Sequence, residues 1–288
     1  MTAITELTPS FRRFTFSGPD LVDFGDTGLD QRIKVVFPSG GTTLDDMPVG
    51  EDWWTRWREL PEGSRPSIRT YTTRYVRPAL REVDIDMVVH DVQGPASAWV
   101  QGATPDDEVL IFAPTSSHAG VSPGIDFVPP ARTGHILLAG DETAAPAIAV
   151  ILEQLPPAAR GVVVLEVPDP RDQSYLPHHD GFEYRVAARA GAPRHGHLVA
   201  AVEDAAARLT PTRRGSHVEE IDIDRDVLWE VPRTAKGGAA LKSAPLYAWL
   251  AGEAGAIRTL RRHLVAGRGV DRRAVAFMGY WRVGKAES

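Results

Sequence analysis

Two kinds of hydrophobic spacing divide this chain. In the first 115 residues, short segments rich in β-branched and aromatic side chains are separated by Gly, Pro and Asp: residues 11–16 (FRRFTF), 31–37 (QRIKVVF), 67–76 (SIRTYTTRYV), 82–90 (EVDIDMVVH) and 108–112 (EVLIF). In the fourth, Val83, Ile85, Met87 and Val89 alternate with Glu82, Asp84, Asp86, Val88 and His90, the period of a strand with one face buried and one in water. His90 thereby falls on the polar face. Strands of this length and spacing predict a small antiparallel barrel.

Residues 115–134 (TSSHAGVSPGIDFVPPARTG) are rich in Ser, Pro and Gly and read as a linker, after which the pattern changes. HILLA (135–139) leads into a helical segment from Ala144 to Leu155, and GVVVLEV (161–167) is continuously apolar, as strands buried on both faces are. LYAWLAG (246–252) precedes a helix marked by Ile257, Leu260 and Leu264, and AVAFMGY (274–280) is a last strand. Alternating β and α predicts a parallel-sheet α/β domain over residues 131–288, behind a barrel domain over residues 1–130.

Composition narrows the chemistry. With no cysteine among 288 residues there is no thiol nucleophile, cysteine-ligated zinc or iron–sulfur cluster, so redox work needs a bound organic cofactor. A net charge of −6 argues against nucleic acid as a partner, and an anionic ligand needs a local basic patch. No apolar run approaches the roughly 18 residues of a membrane helix, and MTAITELTPSFRRF has no basic-then-apolar secretion pattern. A cytoplasmic monomer with no membrane insertion is the expectation.

Three motifs carry possible chemistry. In RTYTTR (69–74), a strand puts Arg69, Tyr71 and Thr73 on one face; the guanidinium suits a pyrophosphate and the phenol ring suits an isoalloxazine, although a solvated barrel strand also accounts for the pattern. In HDVQGPASAW (90–99), Gly94 and Pro95 turn the chain into a helix whose first free N–H groups, with the Ser97 hydroxyl, could hold a diphosphate; an ordinary capped turn is the alternative. In AGDETAAP (139–146), Gly140 permits a tight turn, Thr143 offers a hydroxyl and Pro146 fits a first helical turn, and WLAGEAGAIR (249–258) repeats the arrangement of strand, glycine and helix start. Ligands of open α/β sheets bind outside the carboxyl ends of the strands, so both turns could flank one nicotinamide dinucleotide.

Taken in order with a final GYWRVG (279–284), these motifs resemble the landmarks of bacterial siderophore-interacting proteins, in the ferredoxin-reductase-like superfamily, from about Phe11 to Lys285. The resemblance implies an FAD-binding barrel followed by an NAD(P)-binding α/β domain, and an NAD(P)H-dependent reductase of ferric siderophores. It implies that Arg69, Thr70, Tyr71 and Thr72 hold the flavin, that His90, Ala96 and Ser97 contact the FAD phosphates or adenosine, and that Gly140, Asp141, Glu142 and Thr143 form one side of the nicotinamide site with Gly252, Glu253 and Arg258 on the other. Lys34 and Arg282 match basic positions around the ferric-siderophore site. Other readings on the same fold are a flavin reductase with a protein or quinone acceptor, or a siderophore carrier.

The chain departs from that pattern twice: an arginine usual after the last barrel strand is missing near Ser116 and Ser117, and a usual Gly-Asp turn is Asp106-Asp107. His178, His179, His195 and His197 lack accompanying Asp, Glu or Cys at helical ligand spacing, so no metal is expected there. Trp53, Trp54 and Trp57 are expected to pack over a barrel end.

Overall fold

The computed structural model describes residues 1–89, 94–118, 124–210 and 228–284. It divides into two compact units, Met1–Thr27 with Gln31–Gly124, and Gly28–Asp30 with Ile125 onward.

The first unit contains β1 (Ala3–Thr8), β2 (Phe11–Ser17), β3 (Arg32–Phe37), β4 (Ser67–Arg77), β5 (Glu82–Val88) and β6 (Leu110–Phe112), with the helices α1 (Trp53–Glu59) and α2 (Pro95–Gly102). The strands form one antiparallel sheet in the order β1-β2-β5-β4-β3-β6. Its two edges meet at Met1, whose nitrogen donates to the Asp107 carbonyl (2.8 Å) and whose carbonyl accepts the Asp106 N–H (2.9 Å). The sheet thereby closes as a barrel around Phe14, Phe16, Ile33, Val35, Phe37, Val83, Ile85 and Met87. Fully burying each such side chain is worth roughly 1.5–3 kcal/mol. Asp106, where the family pattern has glycine, takes φ = 77°, the left-handed region in which a glycine would be unstrained.

Strand β5 departs from its expected polar face. Asp84 and Asp86 are buried along with the apolar residues between them. Arg13 forks onto Asp86 (2.7 and 2.9 Å) with Arg74 also against it (3.4 Å), while Asp84 takes two hydrogen bonds from Arg77 (2.7 and 2.6 Å) and one from the Thr15 hydroxyl (2.8 Å). Burial works against the Asp84 charge, but the Arg77 and Thr15 hydrogen bonds prevail and hold its carboxyl below the usual range. The polar face is roofed by arginine rather than by water.

The second unit contains β7 (Arg132–Asp141), α3 (Ala145–Gln154), β8 (Gly161–Val167), β9 (Phe182–Ala188), α4 (Gly196–Leu209), β10 (Trp229–Glu230), β11 (Ser243–Glu253), α5 (Ala254–Arg261) and β12 (Val275–Trp281). The sheet order is β10-β12-β11-β7-β8-β9, parallel throughout except for β10. The chain winds outward from β7 through β8 to β9, then returns to the other side of β7 with β11 and β12. The topological switch point therefore lies between β7 and β11, where such sheets bind ligands. Among the described residues no helix is long and apolar enough to cross a membrane.

Residues 28–30 belong to this second unit because Asp30 is buried in it. Its carboxylate accepts the N–H groups of Asp126 (3.0 Å) and Phe127 (3.0 Å) and the indole N–H of Trp249 (2.9 Å). Burial outweighs these hydrogen bonds and pushes Asp30 from 3.8 to about 6. A raised folded-state value means that stability is fullest below the unfolded pKa and is lost as pH rises through about 6, a change of about 3 kcal/mol. Asp30→Asn has no proton to lose. Urea unfolding of both proteins between pH 4.5 and 7.5 should move their difference in the variant's favour by about 2 kcal/mol, the part of that change which falls in this range; a difference that stays flat with pH contradicts the assignment.

Candidate functional site

In the first unit, the pairing of β4 with β3 fixes which way each residue of RTYTTR faces. Opposed residues share a face of the sheet. Tyr71 lies opposite Ile33 and Arg69 opposite Val35, whereas Thr70 lies opposite Lys34 and Thr72 opposite Arg32. Arg69 and Tyr71 thus share one face, both half-buried, and Tyr71 packs edge-on to Phe37 with ring centroids 6.0 Å apart at 78°. On the opposite face the Lys34 ammonium donates to the Thr70 hydroxyl at 2.7 Å. A β-bulge follows at Arg74, which leaves the ladder and turns its side chain to Asp86.

The expected anion-binding turn is the start of α2. The helix opens after an extended Gly94, which brings no capping side chain, and Pro95 has no N–H to offer. The first bond into the helix runs from the Ala98 N–H to the Gly94 carbonyl (3.0 Å), so the N–H groups of Ala96 and Ser97 have no acceptor among the described residues. Two amide donors at a helix start suit a diphosphate, and with the Arg69 guanidinium and the Tyr71 ring they fit the parts of a flavin dinucleotide. His90 lies outside the described residues.

In the second unit, the switch point is built on two glycines. Gly140 is needed for close approach rather than for the tight turn expected of it: a Cβ there would lie 2.4 Å from the Ala251 carbonyl oxygen and 2.4 Å from the Ala144 Cβ. Gly252 has φ = +146°, and a Cβ there would lie 2.7 Å from an Asp141 carboxylate oxygen.

Asp141 is fully buried, with Oδ2 accepting the Trp281 indole N–H (2.8 Å) and the Glu253 N–H (2.9 Å), and Oδ1 accepting the Thr143 N–H (3.0 Å). One carboxylate therefore ties together the ends of β7, β11 and β12. Burial, then the charge of Glu142, push Asp141 up to about 6 against the hydrogen bonds from Thr143 and Trp281. Glu142 goes the other way. Burial opposes its charge, but the Arg189 fork (2.6 and 2.8 Å), with Arg194 adding a contact at 3.1 Å, holds it below the usual range. Glu253 caps α5 by accepting the Ala256 N–H at 2.9 Å. The three acids thus shape the two turns from inside, and half-buried Thr143 and Arg258 keep surface for a ligand; Arg258 makes no ion pair among the described residues.

Four further residues complete this end of the sheet: Arg189 and Arg194, which the sequence did not single out, His195, considered there only as a metal ligand, and Trp281, noted there only as part of GYWRVG. Arg194 sits over the Trp281 ring at 5.4 Å and the His195 ring lies 5.8 Å from it. His195 takes φ = 70° and passes its own N–H to Glu166 (2.7 Å), which also accepts the Leu198 N–H (3.0 Å) and so caps α4. A groove of about 450 Å³ runs between the starts of α4 and α5, lined by Arg194, His195, Gly196, Gly255 and Ala256 among others. The available signal was the run RAGAPRHG (189–196), two arginines ahead of a glycine helix start. His178 and His179 are elsewhere, bonded to Asp180 (3.0 Å) and to the Pro156 carbonyl (3.2 Å). Arg282 is half-buried directly after Trp281, and Ser116 and Ser117 are exposed.

Comparison with known proteins agrees with both halves. Residues 1–118 match the profile of a siderophore-interacting FAD-binding domain and residues 133–284 that of siderophore-interacting protein. An uncharacterized protein of Mycobacterium tuberculosis is 32% identical over 99% of this chain and 89% of its own length. The ferric vibriobactin reductase of Vibrio cholerae is 33% identical over 58% of this chain and 56% of its own. Among solved structures, the siderophore-interacting protein SipS of Aeromonas hydrophila superposes with a TM-score of 0.66 at 27% identity, over 99% of this chain and 90% of that one. With a closed barrel whose helix start suits a flavin diphosphate, an α/β unit with a glycine-built switch point, and matches across both, the chain belongs to the siderophore-interacting protein family.

Proposed function

We propose that the chain is a cytoplasmic, FAD-containing reductase that uses NAD(P)H to reduce the ferric iron of siderophores. The observation that supports this reading is that the barrel unit carries Arg69 and Tyr71 on one face of β4 and, at the start of α2, two amides with no acceptor among the described residues. Arg69 and the Ala96 and Ser97 N–H groups would hold the diphosphate, and the Tyr71 ring would lie against the flavin, with Thr70 and Thr72, whose side chains face the other way, offering it their backbone. Bound FAD supplies the passage from a two-electron hydride donor to a one-electron metal acceptor. Everything else is orientation, consistent with a chain in which no catalytic triad or carboxylate pair is needed.

In the α/β unit, Gly140 and Gly252 let the ends of β7 and β11 close on each other at the switch point, while Thr143, Arg194 and Arg258 offer polar and positive contacts to the nicotinamide dinucleotide. Arg194→Ala should raise KM for NAD(P)H about tenfold, the loss expected for one charge-assisted phosphate contact, while flavin content is retained. Steady-state kinetics with flavin absorbance as the internal control checks this, and an unchanged KM contradicts it.

Lys34 and Arg282 each offer positive charge to an anionic ferric chelate that the net charge of −6 would otherwise repel. Hard oxygen donors hold ferrous iron less tightly than ferric, so reduction favours release. The similarity to a ferric vibriobactin reductase supports this acceptor class. Anaerobic turnover with ferric siderophores, quinones and ferredoxin-type proteins as competing acceptors tests the assignment. Preference for the ferric chelate is expected; preference for a quinone or protein acceptor would move the chain to another branch of flavin reductases.

A further inference from the structure

Beside Lys34 lies a group of aromatic side chains to which that function gives no part. On the outer face of β3, β4 and β6, the α1 region covers a small core of Val36, Met47, Trp57 and Ile68. Trp57 is buried and donates its indole N–H to the Pro66 carbonyl at 2.9 Å, and Trp53 stacks on Phe112 with centroids 4.1 Å apart at 19°. Those two are packing, as the sequence led one to expect. Trp54 is not: it is 37% exposed, with its ring stacked on Trp57 at 5.1 Å and 16°. The Lys34 ammonium, fixed by its hydrogen bond to Thr70, lies 5.8 Å from the centre of the Trp54 ring.

A single exposed tryptophan needs no explanation by itself. Here the indole is braced from behind by Trp57 and flanked by a held cation, so its orientation is set before any ligand arrives. Such a pair complements a flat ring that carries negative charge: the ring stacks on the indole and its anionic oxygens face the ammonium. Aliphatic hydroxamates and carboxylates bring oxygen donors but no ring to stack. We propose that Trp54 and Lys34 together select ferric chelates whose iron donors are aromatic, namely catecholate or phenolate rings. The proposal rests on the ferric-siderophore reading and adds the class of chelate to it.

The test compares the flavin-loaded protein with Trp54→Ala and Trp54→Phe on two substrates, an iron(III) tris-catecholate and an iron(III) linear trihydroxamate. The quantity read is the ratio of kcat/KM for the first over the second, which cancels any general loss of active protein. Trp54→Ala should lower this ratio about tenfold, the size of one stacking contact, and Trp54→Phe should largely keep it. A parental ratio in Trp54→Ala overturns the proposal. If the parent reduced neither complex, the reductase reading would fall, and calorimetric titration with the redox-inert gallium(III) tris-catecholate would decide the binding question separately. A roughly tenfold weaker Kd in Trp54→Ala is then expected, and equal Kd values overturn it.

Discussion

Arg69→Ala should purify as a folded but nearly colourless protein. A forked, charge-assisted contact to a diphosphate is worth roughly 3 kcal/mol, about 100-fold in Kd for FAD, enough to strip the cofactor during purification. The side chain is half-buried on the face it shares with Tyr71, and its Nη1 donates to the neighbouring Ile68 carbonyl at 2.7 Å, a local contact whose loss leaves the strand pairing intact. Arg69→Lys keeps the charge but not the fork and should retain flavin partially. The ratio of absorbance at the flavin and protein bands reads the outcome, with far-ultraviolet circular dichroism as the check on folding. A full flavin complement in Arg69→Ala would mean that the diphosphate is held elsewhere.

Gly252→Ala acts on stability rather than on a ligand. At φ = +146° an alanine is strained, and its methyl would meet the Asp141 carboxylate 2.7 Å away. Asp141 cannot give way without releasing the N–H groups of Glu253, Thr143 and Trp281. Strain and overpacking each cost roughly 1–3 kcal/mol, so a loss of about 4 kcal/mol is expected. The melting transition of the α/β unit should fall by about 10 °C. Calorimetry measures it, and a parental Tm would show that the three strand ends are not locked together as described.

Much of this architecture was legible from periodicity. The run GVVVLEV is strand β8 residue for residue, and Ile257, Leu260 and Leu264 all reach the core, although the helix widens into a π-helical turn over Arg262–Gly267. The parts not legible have identifiable causes. Strand β1 is a largely exposed edge without an apolar stripe, and α4 is an alanine-rich helix that buries only Leu198, Val202, Ala205 and Ala206. Asp84 and Asp86 read as a wet face because their arginine partners come from other strands and a bulge, which only the register discloses.

The candidate site divides along the same line. Glycines and helix starts can be recognised from local sequence, so Gly140, Gly252 and the start of α2 could be singled out there. Which polar groups face inward depends on tertiary packing. Asp141, Glu142 and Glu253 stood out as ligand candidates, yet their carboxylates bind their own chain, while Arg194 and Trp281 emerged only when the loop before α4 met the end of β12.

Delivery of electrons from the flavin to siderophore-bound iron can be watched in a single turnover. The FAD-loaded protein is reduced anaerobically with NAD(P)H, freed of excess donor, and mixed with a ferric siderophore in the presence of a ferrous chelator. Rapid return of the oxidised flavin spectrum is expected, together with about two ferrous ions trapped per flavin. Flavin that stays reduced beside the ferric siderophore, with no ferrous complex formed, would contradict it.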